Sequence, residues 1–269
     1  MKFKRMLKTT LLFAAVSTGT TVASGSAFAT LLTPSVTFTD GTLYTTSGIS
    51  GQTSTGYDLA GMLVTARFSD GTTDTQTWSR GDPTKESGSA AGTGWSLSLE
   101  GDSNLFPWVL STTLGTSAGA RSLVGLFIDL RPASAVFDVI VTPEDSPGSN
   151  FGSNIGAWNG DSQGGLKGSM DGAGDLIVAG TYSNKLSIGP TFYGDLFLTL
   201  DMSFSRASGA GGLGIDVLSF LSDTDRLATA GDIKVVVPDG NNNGGSPVPE
   251  PGTLALLGLG LIGLAVRRR

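Results

Sequence analysis

Between residues 30 and 238, apolar side chains recur mainly at every second position, and short clusters of Gly, Asp, Asn and Ser interrupt them at regular intervals. A spacing of two places successive side chains on opposite faces of a strand, whereas a helix requires a spacing near 3.6. The interruptions are residues that favour turns between short antiparallel strands. The pattern therefore predicts an all-β domain over residues 30–238, with no helix of any length.

The clearest hairpin is predicted over residues 62–68 and 72–78, on either side of the turn Ser69-Asp70-Gly71. Asp-Gly allows the positive φ that a tight hairpin requires, and β-branched threonines suit the second strand. Further strands are predicted over residues 94–100, 107–111, 175–182, 195–204, 215–221 and 233–237. Between residues 195 and 204, the side chains from Leu196 to Met202 at even positions are expected to face one way, and those at odd positions the other.

A second hairpin is predicted from residues 122–130 and 135–141, which are apolar enough to be central strands. The whole pattern predicts an antiparallel two-sheet β-sandwich of jelly-roll type. A β-helix is the alternative, and it is less favoured because the chain shows no fixed short repeat.

The first 29 residues have the three parts of a secretory signal peptide. Four basic residues lie between positions 2 and 8, an apolar run follows over residues 11–16, and Ala27-Phe28-Ala29 is a small-residue cleavage site. This order predicts a signal helix, export by the Sec machinery and cleavage after Ala29. An N-terminal amphipathic helix is the alternative.

The charge and composition of the chain exclude several classes of function. Residues 30–246 contain 10 of the 17 Lys and Arg and 22 of the 23 Asp and Glu, a net charge of −12. Such a domain repels a phosphate backbone, so nucleic acid is not an expected partner. The chain has no cysteine and no histidine, which removes disulfides, thiolates, the usual general base and the usual zinc ligand. We therefore expect no enzymatic activity.

Two pairs of aspartates are candidate calcium ligands, Asp171 with Asp175 and Asp223 with Asp225. Oxygen atoms of loop carboxylates are the ligands that calcium prefers. A glycosidase acid pair is a second interpretation, and solvated turn aspartates are a third. Apart from calcium, no cofactor is expected.

The four tryptophans divide into two groups. Trp78, Trp95 and Trp108 lie in or next to alternating segments, which favours packing in the core over a sugar-stacking platform. Trp158 is isolated in the long Gly/Ser/Asn/Asp-rich segment 143–174, where binding residues often lie. Trp158 is therefore a candidate ligand contact.

The C-terminal 23 residues follow a polar spacer at residues 239–246. Pro249-Glu250-Pro251 favours an extended backbone. Residues 253–266 are uncharged and mostly apolar, and as a helix they would span about 21 Å, short of the ~30 Å hydrocarbon core. Arg267 to Arg269 would hold their end of this short transmembrane helix in the cytoplasm.

This combination resembles the PEP-CTERM sorting signal of exported proteins in Gram-negative bacteria, which the membrane protease exosortase recognises. The resemblance implies that Pro249, Glu250 and Pro251 form the sorting motif and that residues 253–266 are a transient membrane anchor. It further implies that Arg267, Arg268 and Arg269 are the stop-transfer cluster. Such proteins are usually associated with exopolysaccharide and biofilm production.

Taken together, these features predict an exported structural protein of the cell surface or the extracellular matrix, located in the periplasm, at the outer surface or in the matrix after transient anchoring in the inner membrane. Its parts are a signal peptide (1–29), a β-sandwich (30–238), a linker (239–246) and a sorting segment (247–269). Its expected partners are the Sec machinery, exosortase, the inner membrane before processing, and extracellular polysaccharide. The alternative is a carbohydrate-binding β-sandwich, calcium-dependent or not, or a glycan-active enzyme.

Overall fold

The computed structural model describes residues 30–32, 34–114, 120–139, 152, 154, 155, 166–169, 176–206, 212 and 215–236. These residues form eighteen β-strands and one 3₁₀ turn, Arg131–Ala133. The strands are β1 Thr30–Leu32, β2 Ser35–Phe38, β3 Tyr44–Thr46, β4 Ile49–Thr53, β5 Leu63–Phe68, β6 Thr73–Thr77, β7 Ser79–Arg80, β8 Ser87–Gly92, β9 Trp95–Glu100, β10 Trp108–Thr113, β11 Leu123–Asp129, β12 Ala135–Asp138, β13 Leu166–Ser169, β14 Leu176–Ile188, β15 Leu196–Arg206, β16 Ile215–Phe220, β17 Asp223–Leu227 and β18 Lys234–Val235. The predicted all-β fold is confirmed over this part of the chain.

The strands form two sheets. The smaller sheet has the order β1-β13-β16-β10-β9-β8-β7, and the larger one has the main path β18-β3-β14-β15-β11-β5-β6. The pairing is antiparallel, as predicted, except that β2 and β3 run parallel to β14. Buried side chains from both sheets, such as Leu97 and Leu110 of the smaller and Val64 and Leu126 of the larger, pack into one large core.

The first predicted hairpin is confirmed. Strands β5 and β6 pair in antiparallel register from Leu63 opposite Thr77 to Arg67 opposite Thr73. Gly71 in the turn has a φ of +81°, as the Asp-Gly signal requires. Alternate residues of β5 are buried, so the strand covers the core with one face.

The predicted core position of three tryptophans is also confirmed. Trp78, Trp95 and Trp108 are 1%, 3% and 0% exposed. Each indole N–H has an acceptor: Trp78 donates to Gly56 O (2.7 Å), Trp95 to Asp74 Oδ2 (2.9 Å) and Trp108 to Ser222 O (2.9 Å). These three tryptophans therefore bury their large apolar surface, and hydrogen bonds satisfy each indole N–H.

The second predicted hairpin is wrong. Strands β11 and β12 do not pair with each other; both run antiparallel to β15 and follow one another along the same side of it. Leu130 N donates to Leu198 O, and Phe137 lies opposite Phe197, so the residues between them leave the sheet and return without a reversal of direction. Pro132 within the 3₁₀ turn and Ser134, with a φ of +55°, form this excursion.

The excursion divides the larger sheet. β11 continues to β5 and β6, whereas β12 pairs with β17, which in turn pairs with β4. The predicted alternation of β15 holds from Leu200 to Arg206, but at Leu196, Phe197, Leu198 and Thr199 both faces are buried. Leu196 and Leu198 belong to a second, smaller core, and Phe197 to the large one. Both faces of β15 are buried there because the strand passes between two cores.

No helix among the described residues is both long enough and apolar enough for a membrane crossing. The predicted signal helix in residues 1–29 and the predicted transmembrane helix in residues 253–266 lie outside the described residues.

Candidate functional site

Pairing of β12 with β17 brings three buried aspartates together. Asp138 lies directly opposite Asp223, and Asp225 follows two residues along β17. Directly opposed residues and residues two apart share a face of a sheet. The side chains of Asp138, Asp223 and Asp225 are almost fully enclosed, at 2%, 1% and 2% exposure. The strand register therefore places three carboxyl groups in one buried region.

Ser103 connects this region to the loop before β10. Its hydroxyl lies 3.1 Å from Asp223 Oδ1, to which it donates, and it accepts a hydrogen bond from Thr224 N at 2.9 Å. The hydroxyl of Thr224 also donates to Ser103 Oγ at 2.9 Å. All three residues are buried, so the network fixes the start of β17 against this loop.

Burial first, and then the negative charges of Asp225 and Asp138, raise the pKa of Asp223 to about 9, although hydrogen bonds from Ser103 and Thr224 oppose the shift. At neutral pH the Asp223 carboxyl therefore holds a proton. A neutral carboxyl group can donate a hydrogen bond, and it lowers the cost of burying the acids that surround it.

The interpretation of Asp223 and Asp225 as solvated turn residues is wrong, because both side chains are buried within a strand. A glycosidase pair requires carboxyl groups on either side of an accessible sugar bond, and burial gives this pair no such access. Among the described residues, no group of three or more Asp, Glu, His or Cys side chains is arranged to hold a metal ion. Calcium ligation stays a prediction, and Asp171 and Asp175 lie outside the described residues.

A polar groove lies on the surface where edge strand β6 of the larger sheet approaches the β8–β9 turn of the smaller sheet. Its volume is ≈ 430 Å³. The side chains that carry its chemistry are Asp70, Thr73, Asp74, Gln76, Thr93 and Arg121. They come from the β5–β6 hairpin, the β8–β9 turn and the residue pair that precedes β11, so both sheets contribute to the groove.

Internal hydrogen bonds hold the two carboxylates of this groove. Asp70 Oδ1 accepts from the backbone N–H (2.9 Å) and hydroxyl (2.6 Å) of Thr72. Asp74 accepts from Trp95 Nε1 (2.9 Å) and from Gln76 Nε2 (2.7 Å). Chiefly through the side-chain hydrogen bonds from Thr72 and Trp95, respectively, the pKa values of Asp70 and Asp74 lie below their ordinary range. Both carboxylates are therefore ionised and fixed in orientation at neutral pH.

Arg121 supplies the cation of the groove. Its Cζ lies 3.3 Å from the centroid of the buried Phe68 ring, and its Nε lies 3.9 Å from Asp70 Oδ2. Within the described residues, Arg121 Nε is enclosed and has no hydrogen-bond partner. The ring contact fixes the plane of the guanidinium while leaving a donor of that group unused.

Gly92 allows the groove to close around Asp74, because a Cβ at this position would collide with Asp74 Oδ2 and Trp95 Nε1. We expect Gly92→Ala to lower the free energy of unfolding by about 1–3 kcal/mol, since it disrupts a hydrogen bond to a charged group. Urea unfolding monitored by tryptophan fluorescence measures this change. Gly48→Ala is the control, because its Cβ would meet only Ala228 Cβ, at 3.8 Å. Equal effects of the two substitutions would contradict this account.

Most of the site residues predicted from the sequence lie outside the described residues: Ala27, Ala29, Trp158, Asp171, Asp175, Pro249, Glu250, Pro251, Arg267, Arg268 and Arg269. Their assignments stay predictions from the sequence. Among the predicted candidates, Asp223 and Asp225 are described and lie together, but with Asp138, which the sequence did not indicate.

Residues 247–269 match the PEP-CTERM protein-sorting motif. This segment is the C-terminal sorting signal of exosortase substrates, so the resemblance noted in the sequence is confirmed. The motif identifies the chain as an exported protein that is sorted by exosortase and passes through the membrane to the cell surface. No curated protein and no solved structure matches the chain.

Proposed function

We propose that the chain is a structural protein of the cell surface or the extracellular matrix, of the kind associated with exopolysaccharide and biofilm, and that its β-domain is not an enzyme. The observation that carries this proposal is the sorting motif at residues 247–269, joined to an all-β domain. We take the domain to be a jelly-roll-like sandwich. In the precursor, a signal helix for Sec export and a short transmembrane helix flank it.

The composition of the β-domain supports the structural interpretation. Residues 30–246 carry a net charge of −12 and the chain lacks histidine and cysteine. The carboxyl groups of Asp138, Asp223 and Asp225 are buried, so they serve the fold better than a substrate. A high net charge keeps an exported protein soluble at the surface to which it is delivered.

The short apolar tail supports transient rather than permanent anchoring. As a helix, residues 253–266 would span about 21 Å, less than the ~30 Å of a bilayer core. A membrane segment of this length is held weakly, and cleavage near Pro249-Glu250-Pro251 would release the domain from it. Arg267 to Arg269 would stop the transfer of the tail.

Replacing Pro249, Glu250 and Pro251 together by alanine is expected to leave an uncleaved protein in the membrane fraction, because the protease would no longer recognise its substrate. The measurement is fractionation of cells, followed by immunoblotting for the size and location of the β-domain. Replacement of Pro143 and Glu144 by alanine is the matched control, since it removes another Pro-Glu pair and should leave processing unchanged.

Two outcomes contradict this proposal at different points. Normal processing of the triple-alanine variant would show that the Pro-Glu-Pro triplet is not the sorting determinant. Recovery of the processed wild-type domain in the soluble periplasm, with none at the surface or in the matrix, would refute the proposed location.

A further inference from the structure

We propose that the groove between β6 and the β8–β9 turn is a binding site for a neutral oligosaccharide of hexose units, with Asp70 and Arg121 as its principal contacts. This inference names a partner for the proposed surface protein. It rests on the proposed function only for the place at which the chain meets its ligand. The binding itself is a property of the β-domain.

A complementary pair of groups lies at one end of the groove. Asp70 Oδ1 is occupied by Thr72, but Asp70 Oδ2 faces Arg121 Nε at 3.9 Å, beyond hydrogen-bond distance. A carboxylate accepts and a guanidinium donates. Two adjacent hydroxyl groups of a sugar can satisfy both residues at once, one donating to Asp70 and the other accepting from the terminal amino groups of Arg121, whose side chain is 33% exposed although its Nε is enclosed.

The charge of the groove favours a neutral ligand. Among the described residues that line the groove, Asp70 and Asp74 outweigh the one cation, Arg121, by one negative charge, and both carboxylates belong to a domain that is strongly acidic overall. An anionic ligand such as a uronate chain would meet two carboxylates and one guanidinium, so it is disfavoured. A neutral polyhydroxyl ligand can use acceptors and donors together without an unpaired charge.

The polar side chains of the groove are preorganised. Contact with the Phe68 ring orients Arg121, while Thr72 orients Asp70 and Trp95 orients Asp74. A site whose polar groups are already fixed loses little side-chain entropy when a ligand binds. Its volume of ≈ 430 Å³ also lies within the range of small-molecule sites.

The rim of the groove is exposed to solvent. Asp70, Thr73 and Thr93 are exposed, whereas Asp74 and Gln76 are half-buried at the floor. The groove is therefore open at the surface, and a polymer could cross it with one or two units in contact. The Gln76 amide donates to Asp74 and keeps its carbonyl oxygen as a further acceptor.

The test uses the full chain, purified in a mild detergent, on a printed array of neutral hexose oligosaccharides and uronic-acid oligosaccharides. We expect retention on at least one neutral glycan, which isothermal titration calorimetry then quantifies. Asp70→Asn and Arg121→Lys should each weaken that binding about 10-fold or more, because each removes a hydrogen bond to a charged group.

The chain offers a matched control for each variant. Asp82 accepts from the backbone and hydroxyl of Thr84 just as Asp70 does from Thr72, and Arg80 lies over the Tyr57 ring at 4.7 Å. Asp82→Asn and Arg80→Lys should therefore leave the binding unchanged. Near-ultraviolet circular dichroism confirms that all four variants keep the fold.

Several results would overturn the proposal. They are no retention on any neutral glycan, retention on uronic-acid glycans alone, or equal affinity in the groove variants and their controls. None of these results bears on sorting, which is read from the fractionation of cells. Conversely, failure of the sorting experiment would leave the array result intact.

Discussion

Trp108→Ala is expected to lower the free energy of unfolding by about 3–5 kcal/mol. Trp108 is 0% exposed, its ring is stacked on Phe220 at 6.1 Å and it lies 5.5 Å from Trp78. Truncation would leave a large cavity and would also remove the donor that satisfies Ser222 O. Urea unfolding of the wild-type and variant chains measures the difference.

The same strand region provides the control. Phe106 is 44% exposed, and Phe106→Ala should change the stability by much less, because no enclosed cavity forms. Trp108→Phe should fall between the wild type and Trp108→Ala, since it keeps a ring but loses the indole N–H. A loss below about 1 kcal/mol for Trp108→Ala would mean that the aromatic cluster is not part of a tightly packed core.

Asp223→Asn is expected to make the protein more stable at pH 8, by about 1 kcal/mol or more, although it alters a fully buried residue. The pKa of Asp223 is raised to about 9 in the fold, against an ordinary value near 3.9 in an unfolded chain. The contribution of the Asp223 carboxyl group to the free energy of unfolding is therefore fully present below pH 4 and is lost as the pH rises towards 9. Asparagine has a similar shape and cannot ionise, so it removes that loss.

The measurement is the free energy of unfolding between pH 5 and pH 9. Wild-type stability should fall with rising pH, by up to about 1.4 kcal/mol per pH unit from this one group, and the Asp223→Asn profile should be flatter. Asp232→Asn is the control. The pKa of Asp232 is lowered to about 2 by hydrogen bonds from Ser47, so its contribution changes only below pH 4. Parallel profiles for the wild type and Asp223→Asn would refute a protonated Asp223.

Local pattern was sufficient for the elements whose partners are close in sequence. The β5–β6 hairpin followed from alternation and from Asp70-Gly71, because the turn itself fixes the register. The local sequence pattern was insufficient where two apolar segments could either pair with each other or follow one another along a third strand. Strands β11 and β12 take the second arrangement because β15, some 60 residues later, offers both of them one continuous edge.

The candidate sites were less predictable because they too depend on partners that are distant in sequence. Asp223 and Asp225 belong to the short polar run from Ser222 to Arg226, which is typical of a turn, and only pairing of β17 with β12 and β4 buries them. In the groove, Asp74 and Gln76 could be placed on one face of a strand from their spacing. Their proximity to Arg121 depends on how the two sheets meet, which no local pattern encodes.

The pairing of the first strands has a consequence for the order of events during export. β1 pairs with β13, β2 with β14 and β4 with β17, so residues 30–53 find their sheet partners only among residues after 165. Closing such long loops is slow, and it cannot begin before both ends are available. Among the described residues the last strand ends at Val235, so the partners of the first strands extend to within about a dozen residues of the sorting signal at residue 247. Strands β5 to β11 can pair early, since their partners lie within residues 63–129, whereas the first strands of the domain wait for the segment that directly precedes the sorting signal.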